Sequence, residues 1–550
     1  MSNININTKR NKLILLIILI MIFTIISCLI SPVFETNDDR TMMNIIAGKY
    51  GREYSAYSIF MGYPLSYILS RGYLIAPKIP WYGLFFCEVI IYSLWVIMGD
   101  ILLKIKQNAR SKKTYIGIAM VLFILYVNIF VVQQFTVIAS ILALTAIYKL
   151  LKRDSWIGIV VLCILSYEVR SDVFLMAAPF LVVAGVWNNL DEKINTKKII
   201  KSSLPIIGVI LITVALGMGS NKIAYSSKDW KEYNLYNKAR SSLYDYTDYW
   251  NNEKYKESCI NAGMSEADFY ITNSYNLLID KNISQEKLKN IKGAITKGKK
   301  DNVLIKTLKV IYHDIKNSLV DYRNYTFFML FVDILVLYAL LSENREKTLI
   351  WLLTVLGKYL IISYFVWVVR LPERVYLALF LIMLSIDIYI LIKKLNSVPT
   401  KIRKICIIGM LVFGILISKD RLNKYTDIVV MNSEYNKINS YCKKNSNNNY
   451  MLAIDEIFTA SSNVMDKETD NLIYLGTTLT QSPTITSYLS NYNCEDVGEV
   501  LLKDNFFYVA YKKYDINKFQ QYMNNRFNGV EIKKVDSINQ NYYVYKFIKK

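Results

Sequence analysis

Long apolar runs separated by short charged gaps dominate the first four-fifths of the chain. The runs lie at about 13–30, 81–103, 115–132, 134–151, 156–170, 172–187, 203–218, 325–341, 348–368, 375–392 and 404–418, most near the length that crosses a bilayer core. In lipid only a helix or a closed barrel pairs its own backbone polar groups, so runs of this kind predict a polytopic α-helical membrane protein with about eleven spans. Three segments break the pattern. Residues 53–80 are apolar and aromatic but interrupted by Gly62, Pro64, Arg71, Pro77 and Pro80, which suits short helices lying in the membrane interface. Residues 219–324 form a polar insert rich in Lys and Tyr, with helices expected near 228–262, 284–299 and 301–319. After 425 the period changes: a helix at 431–444, strands at 450–454 and 506–511, a helix near 515–527 and paired strands over 530–548 predict an α/β or α+β domain. The chain thus divides into a membrane module, 1–424, and a soluble C-terminal domain, 425–550.

Lys and Arg in the short loops set the orientation. Lys9, Arg10 and Lys12 precede the first run, and counting forward puts the basic loops 104–113, 149–154, 188–198, 342–347 and 393–404 on the same side. The N-terminus is therefore expected in the cytoplasm of a cell whose plasma membrane holds the chain. The first loop 31–80, the insert 219–324 and residues 425–550 are then extracytoplasmic. The "RLPER" turn at 370–374 is basic yet falls outside, a local exception to the rule.

Composition narrows the chemistry. A formal charge of +22 over 550 residues is explained by topogenic Lys and Arg facing an anionic inner leaflet. A nucleic-acid partner would require basic residues interleaved with stacking aromatics on one soluble face, an arrangement the sequence lacks. No phosphate-cradling Gly-rich loop occurs, and His313 is the only histidine of the chain, so nucleotide-driven, zinc and haem chemistry are not expected. "IISC" at 25–28 has the look of a lipoprotein processing site, but the apolar run continues past it and reads as an uncleaved first helix. Of the seven cysteines, Cys442 and Cys494 could pair on the outer side, though no spacing demands it.

Ionisable residues gather at the outer face. Asp38 and Asp39 follow the first run; Glu168, Arg170 and Asp172 occupy the turn "EVRSD"; Arg370, Glu373 and Arg374 occupy "RLPER". Each group taken alone reads equally as an ordinary ion pair, Arg170 with Asp172 or Arg370 with Glu373. Three groups at one face favour a site. Within the runs, Glu88 and Asp387 read as lying near helix ends, and Lys358 has no assigned role.

The segments "ETNDDR" (35–40), "SIFMGYPLSYILSRGY" (58–73), "EVRSD" (168–172) and "RLPERV" (370–375), on a first span with a cytoplasmic start, resemble the GT-C superfamily of integral membrane glycosyltransferases. The resemblance covers about 1–418 in topology, and its motifs are short. It implies a sugar donor on a polyprenyl phosphate, a glycan or lipid-linked acceptor, an acidic residue of the first loop as general base, and basic residues on the donor phosphate. Asp38 or Asp39 would supply the base, with the other orienting it or binding a metal. Arg170, Arg370 and Arg374 are the phosphate candidates, and Glu168, Asp172 and Glu373 support them. The resemblance covers metal-dependent and metal-free enzymes; without a second carboxylate cluster, no cofactor is assigned and a divalent metal stays open. Two alternatives remain: a polymerase joining preassembled repeat units, and a lipid-linked sugar flippase, in which polar residues would sit at mid-span.

Overall fold

The computed structural model describes residues 2–50, 54–108, 111–187, 189–190, 196–296, 303–341, 345–368, 371–453, 460–465, 471–476 and 478–550. The protein is mostly helical, 73% of the chain, with a sheet confined to the C-terminal region apart from one short strand pair. Each of the eleven apolar runs lies in a helix. Among the described residues, seven helices are long and apolar enough to cross a membrane: Lys9–Leu29, Trp81–Gln107, Lys112–Val131, Lys197–Ala224, Arg323–Leu341, Arg345–Trp367 and Glu373–Ser397. Three more are apolar but shorter, Phe135–Leu151, Trp156–Val169 and Ser171–Trp187. Fourteen residues in Trp156–Val169 rise only about 21 Å, short of a hydrocarbon core of about 30 Å. The run at 404–418 opens a single helix, Thr400–Lys444, of 45 residues.

The helices Phe135–Leu151 and Glu373–Lys394 are apolar on every face and pack against each other at the centre, buried along nearly their whole lengths. Asp387 belongs to this buried set and accepts a hydrogen bond from Trp351 Nε1 at 2.8 Å. It lies seven residues, about two turns, before the end of its helix, and the packing there removes it from solvent. Glu88 is exposed, while Lys358 is buried with its ammonium 4.7 Å from the Tyr359 ring centre.

Strand β1, Val33–Phe34, pairs in parallel with β2, Val132–Gln133, and so pins the chain after the first helix to the entrance of Phe135–Leu151. Among the described residues of 53–80 there is one helix, Tyr63–Ile75, whose Tyr67, Ile68, Leu74 and Ile75 are exposed.

In the C-terminal region β3 (Asn449–Leu452), β4 (Leu472–Tyr474), β5 (Phe506–Tyr511), β6 (Val530–Ile538) and β7 (Tyr542–Lys549) form one sheet in the order β4-β3-β5-β7-β6. The first three are parallel, and β5, β7 and β6 are antiparallel. The sheet shares a single hydrophobic core with the insert: Leu243, Ile271, Leu277 and Leu288 are buried with Tyr435, Leu475, Val497 and Phe519. Leu278 N–H donates to Leu475 C=O at 2.8 Å, and Tyr522 Oη to Asp280 at 2.6 Å. Insert and C-terminal sheet are therefore one folded body. Cys442 and Cys494 are both buried free thiols, so the disulfide weighed from sequence is not formed.

Candidate functional site

The opening residues of the helix Asn37–Ile46 are acidic, and consecutive helical positions point about 100° apart. Asp38 and Asp39 consequently face different surroundings. Asp39 turns inward and is fully buried. Its Oδ1 accepts from Tyr82 Oη at 3.0 Å and from the backbone N–H of Phe135 at 3.1 Å, and its Oδ2 accepts from Thr36 Oγ1 at 3.2 Å. Phe135 opens the central helix, so Asp39 satisfies one of that helix's first amide groups, while the side chain of Gln134 takes the amides of Thr136 and Val137 at 2.6 and 3.3 Å. Burial raises the Asp39 carboxyl well above its ordinary range, and these hydrogen bonds offset only part of that.

Asp38 turns outward, half-buried, into a cavity of about 720 Å³. Arg170, Asp172 and Arg374 line the same cavity, so three groups far apart in sequence converge there. Burial raises the Asp38 carboxyl, and the positive charges of Arg374 and Arg170 act against that rise. Arg170 sits in the one-residue break between two short helices, pairs with Asp172 at 3.0 Å, and lies 5.2 Å from the ring centre of Phe135. The ordinary ion pair weighed from sequence is thus present, and it lies on the cavity wall. Arg370 falls outside the described residues.

The remaining candidates do other work. Glu168 is buried with its carboxylate against the start of Tyr63–Ile75: it accepts from the amide of Leu65, and its backbone C=O takes the amide of Gly62 at 2.6 Å. It is absent from the cavity lining. The approach is so close that a methyl group at Gly62 would collide with Glu168 Oε2. Glu373 also stands off the cavity, in a cluster of four charges on three segments. Arg421 lies 3.2 Å from Glu35 and 3.4 Å from Glu373, and Lys424 lies 2.7 Å from Glu35 and 2.8 Å from Glu373. Burial would raise the Glu35 carboxyl, but Arg421 and Lys424 outweigh it and hold it below its ordinary range.

The insert supplies residues the sequence did not single out. Arg240, 4% exposed, reaches the cavity and donates to Tyr275 Oη at 2.7 Å and to Asn237 Oδ1 at 2.8 Å, with Asp245 3.8 Å away. Tyr244, Tyr246 and Trp250 add aromatic wall from the run "YDYTDYW", and Tyr275 adds more. The density of aromatics in that run was the only local signal. Val173, Met176, Phe365 and Val368 give one side an apolar lining. A cavity of this make-up can hold an anion against guanidinium groups, stack a sugar-like ring on aromatics and seat an apolar chain. Among the described residues no three His, Cys, Asp or Glu side chains gather into a metal-holding group. No family model, no curated protein and no solved structure matches the chain.

Proposed function

We propose that the chain is a polytopic plasma-membrane glycosyltransferase, held by about eleven helices with its N-terminus cytoplasmic, that moves a sugar from a polyprenyl phosphate to a glycan or lipid-linked acceptor on the outer face. The observation that carries this reading is the convergence of Asp38, Arg170 and Arg374 on one cavity that also has aromatic and apolar walls.

Asp38 is the general base. As the acceptor hydroxyl attacks the anomeric carbon, its proton passes to the Asp38 carboxylate, the new carbon–oxygen bond forms and the bond to the phosphate oxygen breaks. A single displacement inverts the anomeric centre. The departing phosphate gathers negative charge, which the planar forks of Arg170 and Arg374 meet with paired hydrogen bonds. Nearby arginines also favour the ionised form of Asp38, the form a base requires. Asp39 is excluded from this role because its lone pairs serve Tyr82, Phe135 and Thr36.

A strain lacking the gene should accumulate one polyprenyl-phosphate sugar and lose one envelope decoration, naming donor and acceptor. Purified protein in lipid nanodiscs should then transfer that sugar, and Asp38→Asn should abolish the transfer. Normal turnover by a well-folded Asp38→Asn protein removes Asp38 as the base, and absence of transfer by the well-folded unmodified protein overturns the reading. Lys358 and Asp387, buried between apolar helices, favour a second one: ion-coupled movement of the lipid-linked sugar. Flux in vesicles without transfer would establish it.

A further inference from the structure

A second cavity, about 700 Å³, lies outside the site described above. One wall is a stripe on the long helix Thr400–Lys444: Tyr425, Asn432, Asn436, Ser440 and Lys444 all line it. Spacings of four and seven residues put these positions on one face. From 425 to 444 the stripe runs about 28 Å, so the space is a groove suited to a linear chain. Ser31 and Asn463 line it near the end of the first apolar helix, and Ile538 and Asn539 of the β6–β7 hairpin line it beside Glu434, to which Asn539 Nδ2 donates at 3.2 Å. Ser31 stands only five residues before Thr36, which lines the first cavity, so the groove begins within about 17 Å of extended chain from the Asp38 site.

The lining is unusual in kind. Amides and hydroxyls dominate, two tyrosines and two lysines join them, and among the described residues no carboxylate takes part. Asn432 is 4% exposed, and its amide oxygen has no hydrogen-bond partner, although its Nδ2 donates to Ser461 Oγ at 3.4 Å. A buried amide acceptor left open at a polar groove calls for a donor from a ligand. Side-chain amides, hydroxyls and tyrosine rings are the groups that meet a polyhydroxylated chain, whose hydroxyls both donate and accept.

We propose that this groove binds a linear oligosaccharide segment of the acceptor, holding it outside the bilayer while its end enters the first cavity. Calling that chain an acceptor rests on the transferase reading; the binding itself does not.

The test uses full-length protein in nanodiscs and oligosaccharides released from the envelope of cells that express it, labelled with a fluorophore at the reducing end, with binding followed by anisotropy. Saturable binding is expected. Ser433 and Asn436 line the groove and are exposed, so Ser433→Trp and Asn436→Trp block it without entering the core. Each should weaken binding about tenfold or more. Lys443→Trp, exposed on the same helix but off the groove, should leave it unchanged, and so should Asp38→Asn. Absence of binding, equal binding by both groove variants, or tighter binding of a mixed-sequence peptide of similar length overturns the proposal. Groove-dependent binding without any sugar transfer by the unmodified protein would overturn the transferase reading alone.

Discussion

At the scale of the residue, two adjacent aspartates are separated by the direction their helix gives them. Exchange of Asp39 for Asn suits its site: the amide oxygen can still accept from Tyr82 and Phe135, and the amide nitrogen can donate to Thr36 Oγ1. Asp39→Asn should therefore fold normally and retain most of its turnover, whereas Asp38→Asn should lose about 10² to 10⁴ in rate. Asp39→Ala leaves buried donors unmet and should cost about 2–5 kcal/mol in thermal or chemical unfolding. The pH dependence follows from the same burial. The Asp39 carboxyl ionises in the unfolded chain near 3.8 and well above that when folded, so between the two values the folded state binds more protons and stability falls as pH rises. Asp39→Asn should flatten that slope. Asp38 is raised as well, and a protonated Asp38 cannot act as base. Turnover should therefore fall on acidification at a pH higher than an exposed aspartate would give.

At the scale of the element, the charges at the ends of helices hold the scaffold in register. Arg421, 3% exposed, joins β1 and β2 to the long helix: besides Glu35 and Glu373 it donates to the C=O of Val132 at 3.1 Å. Arg421→Met would remove the buried guanidinium from both carboxylates, leaving Lys424 as their shared ion-pair partner, and should destabilise the protein by about 3–5 kcal/mol. Glu35 is held below its ordinary 4.5 when folded, so its contribution is complete above that value and is lost as pH falls through the folded one. Arg421→Met should reduce that acid-side loss. Gly62→Ala should displace Glu168 from the start of Tyr63–Ile75 and lower the melting temperature, even though the backbone at Gly62, with φ of −61°, suits any residue. What the sequence left illegible is visible here. Apolar run length located the eleven helical segments, and the short apolar aromatic run FFYVAY located β5 to the residue, because both signals are local. Glu168 and Glu373 were grouped with Arg170 and Arg374 by proximity along the chain. Which way each side chain leaves its helix end depends on the packing of other segments, and that set them apart. Arg240 and Tyr275 lie in a polar insert whose partner begins more than 150 residues later, so nothing near them in sequence announced the cavity. The strand β4, three residues long, was too short to leave a period.

At the scale of the whole molecule, the shared core of insert and C-terminal sheet requires both to lie on one side of any membrane the helices cross. This agrees with the charge parity of the short loops, which was argued from different residues. In a background with the exposed Cys28 replaced, a cysteine at Lys106 should resist a membrane-impermeant thiol reagent in intact cells, while cysteines at Tyr246 and Lys513 should both react. Labelling at only one of the last two would contradict the common core, and labelling at Lys106 alone would move Asp38 to the cytoplasmic side.

The unbroken helix Thr400–Lys444 has a mechanical corollary. Forty-five residues make a rod about 67 Å long, so its apolar first half and the C-terminal body turn as one shaft. Their mutual angle is fixed by helical phase. One residue inserted between Lys424 and Tyr435 would rotate everything beyond it by about 100°, tearing Tyr435 from the core it shares with the insert or the four-charge cluster from Glu35. Substitutions on the exposed side of that stretch leave the phase untouched. The segment should tolerate changes of residue identity far better than changes of length, the reverse of what a flexible tether between two domains would show.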